Sequence, residues 1–169
     1  LDPNPNPKNS FQERQRLFNL ERSSWTDYDV SLISQGGGVY SRSAKEIKLS
    51  PEVQQMLHVK VTSMTGIELI KAILKMKVAL LWFAGIGTYI KHPKETHSCV
   101  GDPGNDSVRI DSSDCQAQVI GEGANLAVTY DARLDLGTKK TALNSDAIDN
   151  SAGVNMSDYE VNLKILLQS

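Results

Sequence analysis

The chain has 169 residues with 40% hydrophobic content, enough to bury one core and most naturally one domain. Its 18 Lys and Arg against 20 Asp and Glu leave a formal charge of −2, too small and too scattered to imply a nucleic acid or an acidic membrane as partner. No apolar run is long enough to span a membrane and the start carries no signal pattern, so a cytoplasmic location is expected. Cys99 and Cys115 lack a Cys-x-x-Cys pattern or a nearby ligand set and are expected to be free thiols in a reducing compartment.

Leu1 is not Met, and the alternating Pro3, Pro5 and Pro7 impose an extended start, which reads as a cut made inside a longer protein. Ser10 with Glu13 has the pattern of a capping box, and Phe11, Leu17, Phe18 and Leu20 predict a short helix with an apolar side. Trp25 and Tyr28 follow in a turn, where packing is expected rather than base stacking, since no basic stripe accompanies them. Val30 to Ile33 suggests a strand. Gly36-Gly37-Gly38 permits positive φ or close backbone approach, but no Gly-Lys-Ser/Thr follows it, so a loop turn is expected rather than a phosphate cradle.

Ser50-Pro51-Glu52 marks a helix start with Pro at the first helical position. Thr65 and Glu68 mark another, whose apolar face holds Ile67, Leu69, Ile70, Ile73, Leu74 and Met76. The uninterrupted run Val78 to Phe83 fits a central parallel strand covered on both faces. Residues 85–114 are polar. Their His92 and His97 are five apart across a Pro, a spacing that suits neither one helical face nor a zinc knuckle, and a solvated loop without metal is expected.

Ala117 to Ile120 reads as the next strand, Tyr130 to Leu136 as a crossover helix and Thr141 to Ile148 as a third strand. Val154, Tyr159, Val161, Leu163, Ile165 and Leu166 are expected to lay a final helix, read from Met156 to Leu167, over the sheet. That alternation is the order of a doubly wound α/β unit. Two runs carry small and amide residues to strand ends: Gly121-Glu122-Gly123-Ala124-Asn125, and Asp146 to Val154 with Asn150. In an open α/β sheet those ends are where a ligand lies, so the two runs read as one site. The second also opens the final helix, whose N-terminus favours an anion.

These two runs, with Ser157 and Glu160 after the second, resemble the cofactor-domain signature of glutamate dehydrogenases, EGAN and later NAGGV followed by Ser and Glu. Leu1-Asp2-Pro3-Asn4-Pro5-Asn6-Pro7, Phe11 to Arg14, Arg22 to Trp25, Leu32 to Val39, Leu80-Leu81-Trp82 and Gly85-Ile86-Gly87-Thr88-Tyr89 are similar to the large, multidomain bacterial NAD-specific members. The resemblance runs nearly end to end. It implies a partial Rossmann-like, doubly wound parallel sheet with covering helices. Residues 1–169 would then be the distal part of a dinucleotide-binding domain, with an extended segment, short helix and Gly-rich loop over 1–50 and an α/β unit over 51–169.

The resemblance implies NAD as cofactor, and glutamate, 2-oxoglutarate and ammonia as substrates of the parent. Ala84, Gly85, Gly123, Asn125 and Asn150 would line the cofactor, the two Asn on its nicotinamide side, and Ser157 would hold the side-chain carboxylate of glutamate. No catalytic residue is matched, because the family's Lys and Asp belong to a separate substrate domain, and no Gly-x-Gly-x-x-Gly precedes a helix. Ala152 replaces a Gly of NAGGV, and Leu126 follows Asn125 where the family continues with Gly. The segment alone is therefore expected to be inactive and to need the remaining domains of its parent. In a Rossmann order the strand ending at Phe83 would pair with a first strand that this segment lacks, and the open edge is expected to recruit a second copy or the N-terminal segment; a homo-oligomeric parent is the other expectation. A regulatory domain with a dehydrogenase-like fold and a Rossmann-like methyltransferase are the competing readings.

Overall fold

The computed structural model describes residues 1–85 and 87–168, and for 151–158 the backbone only. The chain divides into two compact units, Leu1–Ile70 and Lys71–Ser169.

In the first unit, α1 (Pro7–Asn19) starts earlier than the capping-box pattern predicts. Pro7 takes the first helical position and the Asn6 side chain accepts from the Asn9 N–H, leaving Ser10 inside the helix. Glu13 is thereby freed for another task. Its buried carboxylate accepts from Arg16 Nε (2.7 Å) and from the backbone N–H of Asp29 (2.7 Å), tying α1 to the turn that follows. Of the apolar residues assigned to this helix face, Leu17 is buried, whereas Phe11, Phe18 and Leu20 are exposed.

Val30–Leu32 is a turn of 3₁₀ helix and not the expected strand, because the Asp29 carboxylate caps it by accepting from the Ser31 N–H and hydroxyl. The three glycines form a turn, with Gly37 N–H donating to Ser34 O and Gly38 N–H to Leu1 O. A Cβ on Gly37 would stand 2.6 Å from Leu1 O, so this glycine serves close backbone approach. Strand β1 (Ile47–Lys48) pairs antiparallel with β2 (Ser63–Met64), and α2 (Pro51–Leu57) lies between them in sequence with Ser50 as its cap, as the Ser-Pro-Glu pattern predicts. The Thr65–Glu68 box opens α3 (Gly66–Leu74), where Leu69 and Leu74 are buried and Ile67 is exposed.

The second unit is built on a three-stranded parallel sheet, so the chain is α/β as expected. Strand β3 (Leu80–Ala84) is followed by a short parallel pair, β4 (Ile90–Lys91) and β5 (Ile110–Asp111), with α4 (His97–Val100) between them. Residues 85–114 are therefore not the solvated loop that their polarity suggests: Ile90, Val108, Ile110 and even Arg109 are buried there. Then come β6 (Val119–Gly123), the crossover helix α5 (Tyr130–Thr138) and β7 (Ala142–Leu143). The sheet order is β3-β6-β7, with Ala84 paired to Gly123 and Leu143 to Ile120.

Three expectations are corrected here. Among the described residues β3 pairs only with β6. Leu80 and Trp82 are exposed while Phe83 is buried, which is the alternation of a strand covered on one face. The third strand stops at Leu143. Residues Asp146–Asp149 form a short helix, α6, because Asp146 and Asp149 in its first turn are held by backbone N–H groups of Leu126 and Glu122. The last helix, α7 (Ser151–Leu167), begins five residues before Met156, and Tyr159, Val161, Leu163, Ile165 and Leu166 on it are exposed rather than covering the sheet; Val154 lies outside the described side chains. The i, i+2, i+4 spacing of Val161, Leu163 and Ile165 scatters them around a helix instead of gathering one stripe. Cys99 is exposed and Cys115 buried, both as free thiols, and burial raises the Cys115 thiol above its ordinary pKa.

Glu13 supplies a pH test of the first unit. Its bonds from Arg16 and the Asp29 N–H hold its pKa at about 2, below the ordinary 4.5. A depressed folded pKa contributes stability that is present above the ordinary value and lost as pH falls through the folded one. Acid titration of a Trp82→Phe chain, followed by the fluorescence of Trp25, should show an unfolding component between those two pH values that Glu13→Gln removes. An unchanged titration in Glu13→Gln would show that this carboxylate does not hold the unit.

Candidate functional site

The carboxyl ends of β3 and β6 lie side by side, because their parallel register pairs Ala84 with Gly123. Close approach is built into this pairing. A Cβ on Gly123 would stand 2.8 Å from the backbone O of Phe83, and one on Gly121 would stand 2.2 Å from the Trp82 ring. Trp82 spreads over the glycine strand and replaces the side chains that β6 lacks. Beyond the strand end, Gly85 adopts φ +136°, a Cβ there would meet nothing within 4 Å among the described residues, and Ala84 and Gly85 are both exposed.

Asn125 follows two residues after Gly123, and α6 delivers Asn150 to it: the Asn150 amide donates to Asn125 Oδ1. Asn150 is also the N-cap residue of α7, yet its side chain makes no capping bond. A good capping residue has been diverted to a partner 25 positions away. The bond engages one donor of Asn150 and the carbonyl of Asn125, leaving the Asn125 NH₂ and the Asn150 carbonyl oxygen outside it.

The turn that carries Asn125 is fixed from below. Glu122, fully buried on β6, accepts from Arg133 of α5 (2.6 Å) and from the Val128 N–H (3.1 Å). Burial raises the pKa of this carboxyl above its ordinary value, and Arg133 opposes the rise. Asp149 accepts from the Glu122 N–H (3.0 Å) and from Asn144, and these bonds, that of Asn144 foremost, lower its pKa. Asp146 accepts from the N–H of Leu126 (2.9 Å), which sits at φ +51°. Sequence reasoning missed Glu122, Arg133, Asp146 and Asp149 as the frame of the site. The available signals were a charged residue inside an apolar strand and two Asp after Ser145, a helix-start pattern.

Of the residues read from the sequence, Ala84, Gly85, Gly123, Asn125 and Asn150 thus meet at one end of the sheet. The side chain of Ser157 lies outside the described residues; its backbone is in the second turn of α7, since the helix starts at Ser151. Among the described residues no group of three or more His, Cys, Asp or Glu is arranged to hold a metal ion. No helix is long and apolar enough to cross a membrane, again among the described residues.

The two glycines should respond differently to a methyl group. Gly123→Ala presses on backbone and should destabilise the chain by about 1–3 kcal/mol. Gly121→Ala presses on a ring that is 54% exposed and free to swing outward, and should cost less. Urea unfolding of both variants reads this, and equal losses would show that the Phe83–Gly123 contact yields more readily than its geometry indicates.

Comparison with known proteins identifies the family. Residues 1–169 match the family described as bacterial NAD-glutamate dehydrogenase, catalytic domain. Proteins named NAD-specific glutamate dehydrogenase from Pseudomonas aeruginosa and Halomonas elongata are 53% and 47% identical over 167 residues, 99% of this chain and 10% of each relative. One from Mycobacterium tuberculosis is 50% identical over 175 aligned residues, covering 100% of this chain and 11% of that protein. The chain spans about a tenth of the length of the curated relatives it matches. With a family match over its whole length and a site assembled from the residues that carry the resemblance, the chain belongs to the bacterial NAD-glutamate dehydrogenase catalytic-domain family.

Proposed function

We propose that this chain is the distal part of the dinucleotide-binding domain of an NAD-dependent glutamate dehydrogenase, whose parent interconverts glutamate with 2-oxoglutarate and ammonia. The observation that carries the reading is the Asn125–Asn150 amide pair at the carboxyl end of the parallel sheet. A carboxamide needs one donor for its oxygen and one acceptor for its NH₂, and this pair offers both groups outside its own bond. Ala84 and Gly85 are exposed and, among the described residues, nothing stands within 4 Å of a Cβ on Gly85, which leaves room for a planar ring. These residues therefore fit a nicotinamide.

When bound, NAD accepts the hydride that leaves glutamate. The chain's own residues do the holding: Asn125 and Asn150 fix the carboxamide and so select the ring face, and Ala84 and Gly85 keep side chains out of the ring's volume. By the family resemblance, Ser157 donates to the side-chain carboxylate of glutamate. The full Rossmann arrangement also belongs to this reading, with the parent supplying the phosphate-binding turn and a strand that pairs with the open edge of β3.

That edge, with Leu80 and Trp82 exposed along it, should make the isolated chain self-associate. Light scattering should find species larger than a monomer, and Trp82→Lys should shift them toward the monomer; a wild-type monomer at high concentration would contradict the proposal of an adhesive edge.

Steady-state kinetics of the full-length protein test the site. Ser157→Ala should raise the KM values for glutamate and 2-oxoglutarate about tenfold to a hundredfold, the scale of a lost bond to a charged carboxylate. Asn150→Ala should chiefly raise the KM for NAD. Unchanged KM values for both substrates in Ser157→Ala would remove that residue from the site, and an unchanged KM for NAD in Asn150→Ala would remove the amide pair from the cofactor.

A further inference from the structure

The segment after β3 holds a buried cation that the proposed reaction does not use. Arg109, 3% exposed, donates from Nε to Thr88 O (2.8 Å) and from one terminal nitrogen to Asp102 O (2.7 Å). Its other terminal nitrogen donates to Asp106 (2.5 Å) and to Nδ1 of His97 (2.8 Å). The Asp102 carboxylate accepts from the Thr88 N–H (2.8 Å) and from Asn105 (2.8 Å), and these bonds, that of Thr88 foremost, lower its pKa. Both backbone polar groups of Thr88 are thus held by the same cluster.

The Thr88 hydroxyl then donates to Leu126 O (2.7 Å), the carbonyl of the residue after Asn125. Leu126 donates its own N–H to Asp146 (2.9 Å), so the residue after Asn125 is gripped from two sides in a left-handed conformation that a non-glycine residue rarely adopts. The grip continues with Tyr89 N–H on Ala127 O (2.8 Å). Thr88 is 4% exposed, so its hydroxyl bond is shielded from water.

We infer that Thr88, locked by Arg109 and Asp102, is a positioning residue that sets the direction of the Asn125 amide toward the cofactor through its bond to Leu126. This rests on the reading of Asn125 as a carboxamide ligand. The buried cluster fixes Thr88, and Thr88 fixes the Leu126 carbonyl and so the peptide joining Leu126 to Ala127, while Asp146 holds the Leu126 N–H and so the peptide joining Asn125 to Leu126; with both peptides held, the backbone that carries Asn125 cannot turn without breaking one of these bonds. Asn125 is thereby aimed before any cofactor arrives, and the cost of ordering it is not charged against binding.

The experiment is a kinetic cycle in the full-length protein with Thr88→Val, Thr88→Ser, Asn125→Ala and the double variant Thr88→Val/Asn125→Ala. Thr88→Val keeps the shape and loses the hydroxyl; it should raise the KM for NAD about two- to tenfold, the scale of one neutral hydrogen bond, and leave the KM for glutamate unchanged. Thr88→Ser should restore the wild-type value. The double variant should be no worse than Asn125→Ala alone, because the bond acts only through Asn125. If Asn125→Ala raises the KM for NAD and Thr88→Val does not, or if their effects multiply, the positioning role is overturned while the cofactor reading stands. If Asn125→Ala itself changes nothing, the cofactor reading fails and the inference with it. Arg109→Lys, which keeps the charge and loses the fork, should reproduce the shift of Thr88→Val; a wild-type KM in that variant would detach the cluster from the site.

Discussion

A carboxylate with no exposure to water organises the second unit. Glu122 stands inside β6, and a buried charge of this kind persists only where partners replace its hydration. Arg133 comes from α5 and the Val128 N–H from the turn that leads into it, so the strand, the turn and the crossover helix must assemble together. Asp149 takes the N–H of the same glutamate and brings α6 to the sheet end. Removing either partner strands the other charge, which costs more than the pair itself contributes. The position of Asn125 and Asn150 is a consequence of this assembly, since each is a short step in sequence from a member of it.

Close approach is the second constraint. Gly121 and Gly123 carry no side chain, Trp82 closes over them, and the strand ends meet at the pair Ala84 and Gly123, with Ala84 and Gly85 exposed. Small residues, buried charge and paired amides serve different ends in one architecture. The first make room, the second fixes the backbone, and the third present a donor and an acceptor. Diverting the Asn150 side chain from its capping position is the local concession that links the two sequence runs.

Much of this was legible in the residues. Ser50-Pro51 and the Thr65–Glu68 box marked helix starts because capping chemistry is local. The Gly-Glu-Gly-Ala-Asn run marked the end of β6 because an apolar strand running into small residues has few other readings. The failures share a cause in competition for hydrogen bonds. Ser10 reads as a cap until Asn6 and Pro7 take the role, and Val30 to Ile33 reads as a strand until Asp29 captures the Ser31 N–H. Asp146 to Ile148 reads as the end of a strand until Leu126 and Glu122 supply, from 20 and 27 positions away, the N–H groups that hold the Asp146 and Asp149 carboxylates. Residues 85–114 look solvated because Arg109 and Lys91 are charged, and only the fold reveals that Asp102, Asp106 and Asp111 bury them as pairs.

The central claim is that the amide pair of Asn125 and Asn150 receives the nicotinamide end of the cofactor. A structure of the full-length protein with NAD bound tests it most directly. The account predicts the carboxamide of NAD within hydrogen-bond distance, about 3 Å, of Asn125 and Asn150, with the ring over Ala84 and Gly85. Density that places the adenosine or the pyrophosphate there, or NAD on another part of the protein, would contradict it.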